Sequence, residues 1–418
     1  MIQPCVAVFD KRGYSVFMNY AFDCHMHILP LGHVCLTAYL EYAKNNPISE
    51  AYAQVSAHDY VIAGILRRQG EARNLVAVME QPVEKHIELY EDDLRGKFLR
   101  EGETTLPVIS DSGVKIQGGG KDLSYDKIMI CPLLMDFSSV RPLDLYYPEP
   151  PVHDIRKQAR EVLEGLELYH TNHPKGKIDA YPFLGINPLN HSLEYTEELL
   201  NECFPKTGLF SKKSSFAGIK VYPPMGFDPD PADPVMKEKV ELLYTFCEKH
   251  SIPIVTHCDD QGFRIIPLEE SFTYTSPERW KGVLERHPDL WLDFAHFGEQ
   301  YYLLRKGIVS FVPQYIQEGS WREMILSLMK TYPHVYSDLS FDGVNPDSWE
   351  KLVLMLESLP PSEREIYEGR LLYGTDWPLS LSKITSALQY WRGFCDSRID
   401  SELCNKMLNV NPERFLFH

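Results

Sequence analysis

The chain has 418 residues, 44% of them hydrophobic and 24% charged, a balance that excludes a disordered or fibrous protein and fits a globular one. A formal net charge of −17 excludes the broad basic surface that a nucleic-acid backbone or an anionic membrane demands, and leaves a small-molecule substrate as the expected partner. The nine cysteines are scattered with no C-x-x-C pair, no apolar run is long enough to span a bilayer, and the short run Val6 to Phe9 meets Asp10, Lys11 and Arg12, so no signal peptide is expected and the location is expected to be cytoplasmic.

Two β-rich runs, Cys5 to Phe9 and Tyr14 to Met18, flank the turn Asp10-Lys11-Arg12-Gly13 and predict a hairpin. A strand follows at about 21–27. In an extended strand side chains alternate, which puts His25 and His27 on one face, with Asp23 beneath them, and turns Cys24 and Met26 to the other face as packing. Residues 33–46 and 49–70 have helical spacing, and the charged stretch 82–101 predicts a solvated helix. Pro107 to Asp122, with Gly118-Gly119-Gly120, reads as a flexible loop. A phosphate cradle there lacks the strand before it and the GK[ST] after it. The whole of 31–124 is expected to be a large, mainly helical insertion covering one end of a single domain that spans 1–418.

Beyond it, strands and helices alternate. Strands are predicted at 127–131, 180–186, 216–222, 252–257, 290–296, 334–339 and 370–376. Helices are predicted over about 152–170, 192–203, 234–250, 277–287, 319–332 and 347–368, with more to the C-terminus. With the first strand this makes eight β units, which predicts an α/β fold closed as a (β/α)8 TIM barrel. The C-terminal strand ends of such a barrel converge on one cavity. The polar residues at those ends are His25, His27, Lys220, His257, His296 and Asp376. Histidines and a carboxylate with one open position suit a catalytic Zn2+ ion, where a water loses its proton at a pKa near ~7. Asp376 is placed to ligate the ion and to move that proton.

These residues lie in a series of motifs: D-x-H-x-H (Asp23, His25, His27), G-I-K-V-Y-P (218–223), T-H-C (256–258), A-H-F-G (295–298), V-Y-S-D-L-S (335–340), Y-G-T-D-W-P (373–378) and N-P-E-R-F-L (411–416). The series resembles the amidohydrolase superfamily, and within it the amidohydrolase-2 branch of aromatic-acid decarboxylases, hydratases and lactone hydrolases. The resemblance covers about 20–30 and 125–418. It implies that His25, His27, His257 and Asp376 hold a divalent metal, usually zinc, with His296 beside it to polarise substrate or shuttle a proton. In binuclear members a carbamylated lysine on the fourth strand bridges two metals, a role that would fall to Lys220; one ion is favoured here.

Each residue also has a plainer reading. His257 and His296 alone would pass for core histidines, Asp376 for a turn residue and Lys220 for a surface-seeking side chain. Asp338 is expected either to orient a ligand histidine or to cap a helix. Cys258 is expected to pack, and Tyr222, Phe297 and Trp377 to line a substrate pocket or the core. Arg264, shortly after His257, and Arg305, shortly after His296, are candidate cations on loops near the mouth for holding a substrate acid. The sequence therefore predicts a metal-dependent hydrolase acting on an amide, ester or lactone of a small organic acid. A non-oxidative decarboxylase is the alternative, and a non-catalytic binding barrel the third reading. A homo-oligomer, a dimer in particular, stays open.

Overall fold

The computed structural model describes residues 6–9, 15–33, 71–138, 154–204, 215–260, 262–300, 302–305, 308–311 and 320–418. Eight strand positions organise it: β1 (Tyr20–Met26), β2 (Lys127–Pro132), β3 (Ile178–Ala180, resumed at Phe183–Gly185), β4 (Gly218–Val221), β5 (Ile254–Thr256), β6 (Leu292–Phe294), β7 (Val335–Asp338) and β8 (Leu371–Leu372). All neighbouring pairs are parallel. β1 pairs with β2 and β2 with the first part of β3, while the second part of β3 begins a run through β4, β5, β6 and β7 to β8. The break in β3 falls at Tyr181-Pro182, where proline has no N–H to give the ladder. Continuity is kept on either side, as Tyr181 N donates to Ile130 O at 2.9 Å and Leu134 N to Phe183 O at 3.1 Å. The first strand meets the last, with Cys24 N donating to Tyr373 O at 2.9 Å. This is the α/β, (β/α)8 order that the alternation predicts.

Helices fill the crossovers, and their starts are written in the sequence. Asp154, Ser192, Asp233 and Ser320 each accept a backbone N–H at the start of helices Ile155–Asn172, Leu193–Cys203, Pro234–His250 and Trp321–Thr331. Period-two alternation along the strands feeds two apolar clusters. One takes Phe22, Cys24, Met129, Cys131, Phe183, Val255, Tyr336 and Leu372, successive strands' inward residues, and is closed below by Phe415 and Leu416 of the C-terminal helix Asn411–Phe417. The other takes the alternate residues Ala21, Ile130, Leu184, Ile219, Ile254, Leu292 and Leu371 together with the helices.

The N-terminal hairpin is present, Val6–Phe9 antiparallel to Ser15–Met18. The segments 34–46 and 49–70, expected to be helical, lie outside the described residues. Two expectations within 31–124 need correction. The charged stretch is a helix at Val83–Leu94, but its Ile87, Tyr90 and Leu94 are buried at the spacing of one face, so it packs rather than floats. The stretch Pro107 to Asp122 contributes to a three-stranded antiparallel sheet, Ile109–Ser110, Gly113–Gly118 and Lys121–Tyr125. Val114 and Ile116 are buried between the outward Lys115 and Gln117, a two-residue period that the polar residues and glycines conceal.

The three glycines form the turn of that sheet, with φ of 130°, 53° and 83°. A Cβ on Gly118 would lie 2.2 Å from Asp396 Oδ1, and one on Gly119 would lie 2.2 Å from Ser397 O. Lys121 fastens the turn by donating to Ser397 O (2.7 Å) and Ile399 O (2.8 Å). The run is a docked turn and not a phosphate cradle. An unanticipated hairpin, Tyr302–Arg305 with Ile308–Phe311, follows β6.

Candidate metal centre

Between Asp23 and Met26 β1 spends three steps where β2 spends two, because Asp23 pairs with Ile130 and Met26 with Pro132. This bulge interrupts the alternation assumed from sequence. Cys24 joins the inner cluster with Phe22, Met26 joins the outer one, and Asp23 turns away from the histidines toward the helix Val83–Leu94. Asp23 accepts from Tyr90 Oη (2.6 Å), Thr375 N (2.9 Å) and Thr375 Oγ1 (2.7 Å). It therefore does not lie beneath His25 and His27.

His25, His27 and Asp376 come together, fully or almost fully buried. His25 Nδ1 donates to Asp338 Oδ2 at 2.7 Å, and His27 Nδ1 donates to Leu133 O at 2.8 Å. Each bond fixes the tautomer that leaves Nε2 as a lone pair. Both lone pairs face Asp376 Oδ1, at 3.5 Å from His25 and 3.2 Å from His27. Neither His25 Nε2 nor either Asp376 oxygen has a well-formed hydrogen bond among the described residues. Buried acceptors converging without a donor are costly unless a cation sits among them, so this donor set fits a divalent metal.

A second group adjoins the first. His257 Nδ1 lies 3.2 Å from His296 Nε2, and His257 Nε2 lies 3.1 Å from Asp259 Oδ1. His296 Nδ1 meets Ser340 O at 3.1 Å and Ser340 Oγ at 2.9 Å. The rings of His25 and His296 are 4.8 Å apart, which joins the two groups. His257 thus belongs with His296 and Asp259, one ring away from the His25, His27 and Asp376 set. Asp338 ties them together: beside His25 it accepts from His296 N (3.2 Å), Ser340 N (2.9 Å) and Ser340 Oγ. Asp259 was not singled out from sequence, although His257-Cys258-Asp259 repeats the alternate spacing of His25 and His27. Ser340 entered there only as the last residue of the motif V-Y-S-D-L-S.

The electrostatics suit ligands. Burial holds the imidazoles of His25 down to about 3 and His257 down to about 4, so both are neutral at physiological pH. Burial alone would raise the Asp376 carboxyl; with a proton on the inner nitrogen of His27 pointing at it, and His25 and His296 nearby, it falls to about 2, and a cation in that proton's place keeps it ionised as well. Asp338 is likewise held well below the usual carboxylate range, its burial outweighed by His25. Lys220 is fully buried in the same interior, its Nζ makes no hydrogen bond among the described residues, and burial lowers it to about 8. Asp293, on β6, is buried with neither oxygen in a well-formed hydrogen bond among the described residues, and burial together with the Asp338 charge pushes its carboxyl well up.

Tyr222 packs its ring 4.5 Å from that of His257, on the site. Phe297 lies under Arg322 instead and, with Leu339 and Asp342, lines a cavity of about 340 Å3 beside it. Trp377 packs against Tyr90 (ring centroids 5.2 Å) and His86 (6.1 Å) and borders an outer cavity of about 690 Å3. Cys258 is buried packing, as expected. Arg264 is buried on the loop after β5, next in the chain to Phe263, whose N–H donates to Tyr222 Oη at 3.0 Å; the side chain of Arg305 lies outside the described residues.

A family model described as amidohydrolase matches residues 194–417. No curated protein matches the chain. Among solved structures it is similar to 2,6-dihydroxybenzoate decarboxylase from Rhizobium, at 15% identity over 76% of this chain and 88% of that one, with a TM-score of 0.43. It is also similar to dihydroorotase from Campylobacter jejuni, at 12% identity over 69% and 74% of the two chains, with a TM-score of 0.34.

Proposed function

Since the chain belongs to the amidohydrolase family, and is therefore an enzyme of that metal-dependent superfamily, we propose that His25, His27, Asp376 and, across the shared ring contact, His257 hold one divalent ion, most simply Zn2+. The observation that carries the reading is the pair of histidines whose outer nitrogens are tied to Asp338 and Leu133 while their inner nitrogens face an unsatisfied Asp376. An ion bound there supplies a Lewis acid and an acidified water.

The reaction proposed is hydrolysis of an amide, ester or lactone of a small organic acid. Asp376, ionised and with two oxygens, serves as ligand through one and takes the proton of the attacking water on the other. His296 hydrogen-bonds the substrate carbonyl or returns the proton to the leaving group. Its orientation comes from Ser340, and its Nε2 faces the site beside His257. Residue 31–124, which departs from the resemblance, is proposed to cover the mouth.

Decarboxylation of an unsaturated or aromatic acid is the second reading, favoured by the buried Arg264, a cation suited to a substrate carboxylate, next in the chain to Phe263, which bonds the Tyr222 packed on His257. Metal analysis of the purified protein tests both, since absence of divalent-metal affinity would sink them together. Incubating the metal-loaded enzyme with lactones, amides and hydroxybenzoate-like acids then separates them by acid release against carbon dioxide release.

A further inference from the structure

Asp376 adopts φ of +53°, a left-handed conformation that costs a non-glycine residue energy and persists only where its surroundings hold it. Asp376 N donates to His25 O at 2.8 Å, and the two flanking residues are gripped as well. Both grips lead to one helix, Val83–Leu94, in the segment that the family match leaves out.

On one flank, Thr375 gives its N–H and its hydroxyl to Asp23, and Asp23 accepts from Tyr90 Oη at 2.6 Å. The Tyr90 oxygen in turn accepts from Trp391 Nε1 at 2.8 Å. That bond occupies the oxygen as an acceptor and leaves its hydrogen for Asp23. All four side chains are buried from solvent. On the other flank, the ring of Trp377 packs against Tyr90 and His86. Tyr90 thus touches both neighbours' supports, one through a carboxylate and one through a ring.

We infer that Tyr90 is a positioning residue for Asp376: the inserted helix sets the ligand carboxylate through Tyr90, Asp23 and Thr375. The inference deepens the proposed metal site and rests on that reading for its effect on metal. The helix is then a working part of the centre as well as material around its mouth. Removing the hydroxyl leaves Asp23 one donor short and releases the Thr375 side of the turn.

The test compares Tyr90→Phe with Tyr169→Phe. Tyr169 donates to Glu91 on the same helix, a tyrosine–carboxylate bond that is also buried; the other partners of Glu91 among the described residues are Arg95 and Lys177, outside the metal group. In the metal-free protein, amide hydrogen exchange across 373–378 is expected to rise in Tyr90→Phe and to stay near wild type in Tyr169→Phe. Zn2+ affinity, measured by chelator competition, is expected to fall about tenfold in Tyr90→Phe alone, the scale seen when partners of ligands are removed. Trp391→Phe keeps the Tyr90–Asp23 bond and gives a smaller change in the same direction, which serves if Tyr90→Phe does not fold. Unchanged exchange in Tyr90→Phe, or an equal change in Tyr169→Phe, overturns the inference. Wild-type protein that binds no divalent metal sinks the proposed function instead, and the exchange comparison still decides the coupling.

Discussion

Asp338 accepts the Nδ1 proton of His25 at 2.7 Å, and neither side chain is reached by solvent. The same carboxylate takes the backbone N–H of His296, so one buried anion orients residues of both halves of the centre. Asp338→Ala is expected to weaken divalent-metal affinity by about 10- to 100-fold, and Asp338→Asn by less, because an amide oxygen still accepts from His25. Equilibrium dialysis against a metal buffer measures both.

His296 is proposed to handle substrate rather than to hold metal. His296→Asn is therefore expected to lower kcat by roughly 10²- to 10⁴-fold while metal stoichiometry stays at the wild-type value. Elemental analysis beside steady-state kinetics separates the two effects, and loss of metal in this variant would move His296 into the ligand set.

Lys220 Nζ has no hydrogen bond among the described residues, and it is held among the carboxyl groups of Asp338, Asp376, Asp293 and Asp259. With one ion and an unmodified lysine, the intact mass should match the sequence without an added carbon dioxide, and Lys220→Met should keep its metal. A bridging carbamate predicts the reverse: added mass, two ions, and loss of metal in the variant.

His86 carries a pH signature of its own. Burial lowers its imidazole to about 4, against about 6.5 in an unfolded chain. Between those values the unfolded chain binds a proton that the folded one does not, so this residue's contribution is intact above pH ~6.5 and is lost as the pH falls. Moving from pH 7.5 to 5 should cost the wild type about 2 kcal/mol more than His86→Leu, in urea unfolding at the two pH values.

Gly374 leaves room for the end of β8 to lie against β1. A Cβ there would sit 2.7 Å from the Cβ of His25 and 3.0 Å from that of Ser340. Gly374→Ala should destabilise the fold by about 1–3 kcal/mol, read as a lowered Tm, and should loosen metal binding through the displaced His25.

The barrel was legible because its signals are local and repeated. Strands such as Lys127 to Cys131 and helices such as Pro234–His250 appear where the pattern puts them, and the convergence of His25, His27 and Asp376 follows from the fold alone. The sheet at 109–125 was hidden because its alternation is carried by few apolar residues around three glycines whose turn is fixed by a distant partner, Asp396 and Ser397. Tyr90 was hidden among acids and lysines; the spacing of Ile87, Tyr90 and Leu94 was the available signal. The direction of Asp23 was not readable at all, since a bulge leaves no mark in the residue types on either side of it.

That extra residue in β1 makes chain length, as much as chemistry, a specification of the centre. Trimming a single residue between Asp23 and Met26 would restore plain pairing with β2 and turn the strand beyond it by half a pleat. His25 or Asp23 would then exchange surroundings with a neighbour, although every ligand residue would still be present. Variation in this strand is therefore expected to run through substitutions at Cys24 and Met26, while its residue count stays fixed.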